Sequence, residues 1–177
     1  MSFAPFTGDV DLTTLLLGAG TSRKKRVIHE STPDKEFVSL VTLDLSNADV
    51  NHDLNDLPYP FQDGEFDEIH AYEVLEHCGV QGDFRFFFAQ FNELHRILVK
   101  NGVLVLSVPN YKSIWAFGDP GHTRVLPYTV FNYLQRSFYD QLGETACADY
   151  RDFIEGWWEG LGMEEQDDQV FVLLRAV

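Results

Sequence analysis

A strand, a helix and a second strand follow one another between residues 66 and 108, and this succession restricts the fold more than any other feature. The apolar run Phe66 to Ala71 predicts the first strand, and Val103 to Val108 predicts the second. Asp83 is predicted to cap the helix between them and Asn101-Gly102 to end it. Parallel strands need such a crossover connection, so the succession favours a parallel pair. The apolar face of the helix recurs at spacings of three and four: Phe84, Phe87, Phe88, Phe91, Leu94 and Leu98.

The rest of the chain repeats this alternation of strands and helices. Helices are predicted from Pro127 to Phe138 and near Tyr150 to Leu161. The predicted fold class is α/β, a Rossmann-like, doubly wound and mostly parallel sheet with helices on both faces, in one domain over residues 1–177. Ligands of such sheets bind beyond the carboxyl ends of the strands. Further strands are predicted over Leu12 to Leu17, Phe37 to Leu43, residues 50 to 54, and Val170 to Ala176.

Composition restricts the classes of partner. Hydrophobic residues make up 45% of the chain and aromatic residues 14%, which is enough apolar material for a folded core. The 13 Lys and Arg residues are outnumbered by 28 Asp and Glu residues, and the net charge of −15 disfavours binding to bulk nucleic acid. The basic run Arg23 to Arg26 favours a solvated loop over a local anion site.

The cysteines and the apolar runs bear on the compartment. Cys78 and Cys147 lie far apart and fit neither a disulfide framework nor a CxxC metal motif. The sequence contains no apolar stretch of about 18 residues and no basic region followed by an apolar run at its start. We therefore expect an acidic cytoplasmic protein without membrane association.

The residues that follow the predicted strands form an ordered series. Gly18-Ala19-Gly20 allow a tight turn and a close approach of a ligand to the backbone, although such a loop is often only a turn. Asp44 ends the second strand about 20 residues later, where an acid can accept hydrogen bonds from ribose hydroxyls. Asp53 can accept a hydrogen bond from a purine amino group, or it can simply form a turn. Together these positions indicate a nucleoside pocket.

A series of segments in this order resembles the class I S-adenosylmethionine-dependent methyltransferases, with a weaker similarity over Asp119 to Arg124. The resemblance implies that Gly18 and Gly20 lie against the methionine moiety. It also implies that Asp44 binds the ribose and that Asp53, with the Leu54 amide, holds adenine. The segments that carry the resemblance are Leu15 to Gly20, Leu43 to Ser46, His52 to Phe61, Phe66 to Ile69, Glu73 to His77, Glu93 to Leu104 and Ser107 to Asn110.

The resemblance further implies that Ala71 and Tyr72 line the methionine and methyl-donor side of the pocket. The cofactor would be S-adenosylmethionine and the reaction a methyl transfer. The full set of expected cofactor-binding residues is Gly18, Ala19, Gly20, Asp44, Leu45, Asp53, Leu54, Ala71 and Tyr72.

Three departures from the family pattern keep a second hypothesis open. Leu16 stands where the family usually has an acid, and Ser22 replaces the third glycine. Only eight residues separate Asp44 from Asp53, too few for a crossover helix. The alternative is a non-catalytic binding or scaffold protein that keeps the fold. A nicotinamide-dependent oxidoreductase is a third reading, which the incomplete glycine pattern disfavours.

The expected reaction needs an aligned acceptor more than elaborate acid–base chemistry. A hydroxyl or amine acceptor must still lose a proton, and His77 and His122 are the candidate catalytic residues. Glu73 lies four residues before His77, and if the segment is helical it could orient the imidazole or could equally form an ordinary surface pair with it. We expect no metal site, because His77, Glu73 and Cys78 lack a further ligand at a spacing typical of metal-binding motifs. The acceptor is expected to be a small molecule or a sugar, and a homodimer remains open.

Overall fold

The structure, a computed structural model, describes residues 12–27 and 35–177. It contains a seven-stranded sheet in the order β3-β2-β1-β4-β5-β7-β6. Strands β1 to β5 are parallel, and β7 runs antiparallel to both of its neighbours, β5 and β6. This architecture confirms the predicted Rossmann-like α/β class. The strands are β1 Thr13–Leu17, β2 Ser39–Asp44, β3 Val50–Asn51, β4 Phe66–Tyr72, β5 Leu98–Pro109, β6 Trp158–Glu165 and β7 Gln169–Ala176.

The strand order reverses between β1 and β4. From β1 the chain moves outward through β2 to β3, then returns to place β4 on the other side of β1 and continues to β5. The carboxyl ends of these five parallel strands therefore share one edge of the sheet. The switch point between β1 and β4 is where doubly wound sheets bind ligands.

The principal helix, α1 (Phe84–Ile97), confirms the prediction from apolar spacing. The Asp83 carboxylate accepts a hydrogen bond from the Phe86 backbone N–H at 3.0 Å and caps the helix as expected. The predicted stop at Asn101-Gly102 is wrong, because Leu98 already adopts extended backbone and pairs with Phe66 at the start of β5. The left-handed Asn101 (φ +66°) lies inside that strand instead. The helix buries Phe87, Phe88, Phe91, Leu94 and Ile97 against the sheet.

The two faces of the sheet are covered differently. α1 and the C-terminal segments cover one face with a large aromatic cluster. On the second face Leu16, Val105 and Leu173 form a smaller cluster, against which Val27 and Phe37 pack. In the described parts of the chain the links from β1 to β2 and from β2 to β3 contain no helix. Within the described residues, α1 covers one face of the sheet and no helix is described on the second.

Two helices predicted in the C-terminal third of the chain are not present in the structure. In place of a helix starting at Pro127 there are two 3₁₀ segments, Tyr128–Leu134 and Arg136–Gln141. The predicted helix from Tyr150 to Leu161 is wrong, since only Arg151–Phe153 forms a 3₁₀ turn before β6 begins. The reason is tertiary, because residues 158 to 165 supply the antiparallel partner of β7.

Two shorter elements complete the description. A one-turn helix, α2 (Trp115–Gly118), follows β5, and a 3₁₀ turn over Leu75–His77 follows β4. Strand β3 covers only the first two residues of the predicted strand at 50 to 54. Across residues 12–27 and 35–177, no helix has both the length and the apolar character needed to cross a membrane.

Candidate functional site

The glycine loop and Asp44 are joined by hydrogen bonds at the ends of β1 and β2. The Gly20 backbone N–H donates to Asp44 Oδ2 at 2.9 Å, and the Leu45 N–H donates to Asp44 Oδ1 at 2.7 Å. The Gly18 N–H donates to the Leu43 carbonyl at 2.9 Å. Each carboxylate oxygen of Asp44 thus accepts one backbone N–H and keeps capacity for a second donor.

The two glycines of the loop serve different purposes. Both have left-handed backbone, with φ of +58° at Gly18 and +51° at Gly20. A side chain at Gly18 would lie 2.4 Å from a Val74 methyl carbon, so the first glycine allows the strand ends to pack closely. No described atom lies within 4 Å of a side chain built at Gly20. The second glycine therefore borders open space, and Ala19 between them is buried in the second-face cluster.

Asp53 lies at the same edge as Asp44. The last residue of β3, Asn51, pairs with Asp44, and the next N–H, of His52, donates to the Asp44 carbonyl at 2.9 Å. Asp53 Oδ1 accepts hydrogen bonds from the backbone and side chain of Asn55, both at 2.9 Å. These bonds hold the pKa of Asp53 below its ordinary value and keep it ionised at neutral pH. The structure thus brings the glycine loop and both carboxylates together.

The remaining predicted cofactor residues differ in burial: Leu54, Ala71 and Tyr72 are buried, and Leu45 is exposed. Leu54 is buried, and its carbonyl accepts a hydrogen bond from the Tyr59 hydroxyl at 3.2 Å. Ala71 is completely buried among core residues. Tyr72 turns onto the second face, where its hydroxyl lies 2.7 Å from His70 Nδ1 and accepts from the Arg26 N–H at 3.2 Å. Leu45 is exposed beside Asp44.

A buried polar network on β4 was not found from the sequence. Glu68 and His70 are two positions apart on β4 and therefore lie on the same face of the sheet, the second face. There Glu68 Oε2 is 2.8 Å from Lys25 Nζ and 3.1 Å from His70 Nε2. Burial lowers the pKa of His70. Burial alone would raise the pKa of Glu68, but hydrogen bonds from His70 and Lys25 outweigh it and hold that pKa below its ordinary value. The basic run is therefore not simply solvated, since the Lys25 side chain is only 2% exposed.

The two predicted catalytic histidines lie side by side. The ring centroids of His77 and His122 are 4.6 Å apart, with an edge-to-face arrangement. His77 Nδ1 lies 3.0 Å from the Gly121 carbonyl oxygen. Glu73 does not orient His77: it has left-handed backbone (φ +52°), and its carboxylate accepts a hydrogen bond from the Ser107 hydroxyl at 2.7 Å. The interpretation as a helical pair is wrong because the segment is a single 3₁₀ turn.

A third titratable group, Glu76, lies against the histidines. Its Oε1 is 3.8 Å from His122 Nε2, and only 3% of its side chain is exposed. Within the described part of the chain, neither carboxylate oxygen of Glu76 has a hydrogen-bond partner, and neither does His122 Nδ1. Desolvation by burial raises the pKa of Glu76 to about 8. Sequence spacing could not reveal this contact, because Glu76 and His122 are separated by β5 and the loops beside it.

An open cavity of about 750 Å³ lies at the carboxyl ends of β4 and β5. Glu73 forms one wall and Trp115 of α2 another, and residues 166 to 169 of the β6–β7 turn complete it. Trp115 is 57% exposed. The lining is acidic, with Asp167 and Asp168 beside Glu73, and it places hydrogen-bond acceptors around an aromatic ring.

Comparison with known proteins gives the family. The model of the family described as "Methyltransferase domain" matches residues 15–106, which is more than half of the chain. The chain belongs to this family. The matched segment contains the glycine loop, both aspartates, Glu76 and His77, whereas His122 lies beyond it. Membership confirms the resemblance to class I methyltransferases, together with the enzyme class and the S-adenosylmethionine cofactor expected from it.

Solved structures share the fold at low sequence identity. A S-adenosylmethionine-dependent methyltransferase from Archaeoglobus fulgidus is 13% identical, with a TM-score of 0.56 over 93% of this chain and 86% of that one. The trans-methyltransferase CalH, in complex with S-adenosylhomocysteine, is 18% identical, with a TM-score of 0.59 over 94% of this chain and 51% of that one. The chain therefore spans about half the length of CalH.

A third structure belongs to an enzyme with a named small-molecule substrate. The 1,6-didemethyltoxoflavin-N1-methyltransferase from Burkholderia thailandensis is 12% identical, with a TM-score of 0.58 over 94% of this chain and 71% of that one. No curated protein sequence matches the chain.

Proposed function

We propose that the protein transfers a methyl group from S-adenosylmethionine to a small molecule that carries hydroxyl or amino groups. The observation that carries this proposal is the junction of Gly20 and Asp44, where a half-buried carboxylate is hydrogen-bonded to a glycine that borders open space, next to the switch point of the sheet. A nucleoside needs this combination, since its ribose hydroxyls donate to a carboxylate while its body requires space beside the backbone.

Each residue of this edge has a role that fits its geometry. Asp44 would accept the ribose hydroxyls with the lone pairs that its two backbone donors leave available. Asp53, kept ionised by Asn55, would accept the adenine amino group, and the Leu54 N–H would donate to a ring nitrogen. The backbone after Ala71 and Tyr72, together with the glycine loop, would border the methionine moiety.

When bound, the cofactor supplies an electrophilic methyl group on a sulfonium with a neutral leaving thioether. The protein then has to hold the acceptor in line and exclude water, which accounts for much of the rate in such reactions. A hydroxyl or ammonium acceptor must also lose a proton. His77 suits this role because it is exposed, and a hydrogen bond from Nδ1 to the Gly121 carbonyl leaves the Nε2 lone pair available. His122 lies behind it as the second candidate.

The acidic cavity beside this edge supports the choice of acceptor. Glu73, Asp167 and Asp168 offer oxygen acceptors to hydroxyl or amino groups and repel anionic acceptors such as phosphates. The exposed Trp115 ring offers an apolar surface on which a sugar or heterocycle can stack. An enzyme with the same fold is known in complex with 1,6-didemethyltoxoflavin, a small molecule.

Calorimetry with S-adenosylhomocysteine tests the cofactor site directly. We expect wild-type protein to bind it and Asp44→Asn to weaken binding by about tenfold to a hundredfold, as for loss of hydrogen bonds to a charged group. Asp140→Asn, an exposed aspartate in a distant 3₁₀ segment, is the matched control and should bind as wild type does. No heat and no thermal shift at millimolar ligand would reject the proposal and favour the scaffold hypothesis.

A transfer assay tests the acceptor class. Methyl-labelled S-adenosylmethionine, incubated with protein and a cell extract, should label the small-molecule fraction. Label found only in protein or nucleic acid would contradict the proposed acceptor while leaving the enzyme class intact. Saturation-transfer NMR with NAD and with S-adenosylhomocysteine tests the oxidoreductase hypothesis against the methyltransferase hypothesis, because an oxidoreductase should bind NAD in preference.

A further inference from the structure

We propose that Glu76, His77 and His122 form a binding site for a divalent transition metal ion of the zinc class. One donor atom from each side chain lies within 4.8 Å of the other two. Zinc–nitrogen and zinc–oxygen bonds of about 2.0–2.2 Å place tetrahedral ligands roughly 3.4 Å apart. The 3.8 Å between His122 Nε2 and Glu76 Oε1 is already near this value, so only small side-chain rotations are needed.

Buried polar atoms without partners are the second observation that supports a cation site. The Glu76 side chain is 3% exposed and that of His122 is 8% exposed, and among the described residues neither Glu76 oxygen has a hydrogen-bond partner. Buried polar groups without partners are costly and rare. The Asp119 carboxylate approaches the same His122 nitrogen at 4.0 Å and adds a second acidic group. A bound cation would give these oxygens the partner they lack.

The backbone holds the three ligands in place before any ion arrives. The N–H groups of Thr123 and Arg124 donate to the Glu76 carbonyl at 3.0 and 3.2 Å, and Arg124 Nε donates to the Leu75 carbonyl at 3.0 Å. These bonds fasten the loop that carries His122 to the turn that carries the other two ligands. The Gly121 carbonyl accepts from His77 Nδ1 and so leaves Nε2 as the free ligand atom, as supporting hydrogen bonds do in zinc sites.

The ligand types select the metal and its open position. Two imidazoles and one carboxylate suit Zn²⁺, whereas Mg²⁺ and Ca²⁺ prefer oxygen ligands alone. Three protein ligands leave a fourth position for water or for an oxygen or nitrogen ligand, and the exposed His77 gives the site access to solvent. A ligating nitrogen cannot also accept a proton, so in the metal-loaded protein this site replaces the proton-acceptor role of His77.

Titration of metal-free, full-length protein with Zn²⁺ tests the site. We expect one ion per chain, and a decrease in affinity of about 100-fold or more for His77→Ala and Glu76→Gln. His77 is exposed, so its replacement should leave the fold intact, and circular dichroism checks this. Co²⁺ should give the visible absorption of a four-coordinate site, which the same two variants should abolish. The control is His52→Ala, at a half-buried histidine that lies next to Asp53 in the chain and 2.7 Å from the Asp56 carbonyl oxygen.

The outcomes separate this inference from the proposed function. Loss of Zn²⁺ binding in His77→Ala with retention in His52→Ala supports the site. Absence of Zn²⁺ and Co²⁺ binding at micromolar metal, or binding that only His52→Ala removes, overturns it. Because Zn²⁺ and S-adenosylhomocysteine are titrated separately, a protein that binds one and not the other rejects one proposal without touching the other.

Discussion

Glu68 and Glu76 are both 2% exposed, yet their surroundings shift the pKa values of the two carboxyl groups in opposite directions. Glu68 lies on the second face of β4 and is held by Lys25 and His70, so its pKa falls below the ordinary value. Glu76 lies in the turn after the same strand without a hydrogen-bonding partner among the described residues, and burial raises its pKa to about 8. A buried carboxylate needs a cation or a donor, or it takes up a proton.

The two regions differ in role. The network of Lys25, Glu68, His70 and Tyr72, here called the anchor, holds one segment of the chain to the sheet, whereas the cluster of Glu76, His77 and His122 is a candidate ligand site. In the Glu68 network, Oε2 is paired with Lys25 and His70, while Oε1 has no hydrogen-bond partner among the described residues. The network fastens the basic segment after the glycine loop to the sheet, through Lys25 and through the Tyr72 hydroxyl. The Glu76 cluster is held by backbone hydrogen bonds, but both carboxylate oxygens of Glu76 and Nδ1 of His122 have no hydrogen-bond partner among the described residues. Groups kept in that condition are typical of places where a ligand completes the structure.

The largest expected effect comes from breaking the anchor. Lys25→Ala leaves Glu68 buried beside His70 alone, and removing one partner of a buried ion pair costs about 3–5 kcal/mol. Urea denaturation should show this loss in the free energy of unfolding. Lys24→Ala, the neighbouring cation, is the control, and an equal loss in both variants would mean that the basic run acts by net charge and not through the pair.

Acidification should weaken the anchor more gradually. The folded-state pKa values of His70 and Glu68 both lie below their ordinary values of 6.5 and 4.5, so the unfolded chain takes up protons first. The stability they contribute is complete above about pH 6.5 and is lost as the pH falls, first for His70 and then for Glu68. Unfolding free energies between pH 7.5 and 5 should decline less in His70→Gln, and an unchanged slope contradicts this assignment.

A smaller effect is expected where the anchor meets the glycine loop. Tyr72→Phe removes the hydroxyl that contacts His70 and accepts the Arg26 N–H, and leaving such buried groups unpaired costs about 1–3 kcal/mol. The loss should be seen in urea denaturation. Tyr128→Phe, at a tyrosine on the exposed start of a 3₁₀ segment, should have no effect.

The smallest effect is expected at Glu76 itself. Glu76→Gln removes no hydrogen bond of the carboxylate, so the free energy of unfolding of the metal-free protein at pH 7 should change by less than about 1 kcal/mol. Lys25→Ala should cost much more, although Glu68 and Glu76 are equally buried, because only Glu68 depends on a charged partner for its contribution to the free energy of unfolding. A loss of about 3 kcal/mol or more would show that the Glu76 carboxylate is already satisfied.

The sequence predicted elements whose signal is local. α1 was found because its aromatic residues repeat every three or four positions and Asp83 caps it, and both properties are carried by adjacent turns. The same reasoning failed for Tyr150 to Leu161, because this segment forms only a short 3₁₀ turn and then enters β6, which begins at Trp158 and pairs with β7. Pairing with a distant segment decides such cases.

The candidate site divides in the same way. The glycine loop, Asp44 and Asp53 were predicted from their positions at strand ends, because the topology of a doubly wound sheet brings successive strand ends to one edge. His77 and His122 were predicted singly. Their contact with each other and with Glu76 depends on how the loop after α2 folds back on the turn after β4, and no spacing in the chain encodes that.

What the sequence alone determined is the order of β1 to β5 with α1, and with it the edge where a nucleoside would bind, because periodicity and turn residues act over a few positions. Only the tertiary structure decided which buried charges are paired. Desolvation and pairing depend on distances between residues far apart in the chain, and those distances exist only once the sheet and its loops have closed.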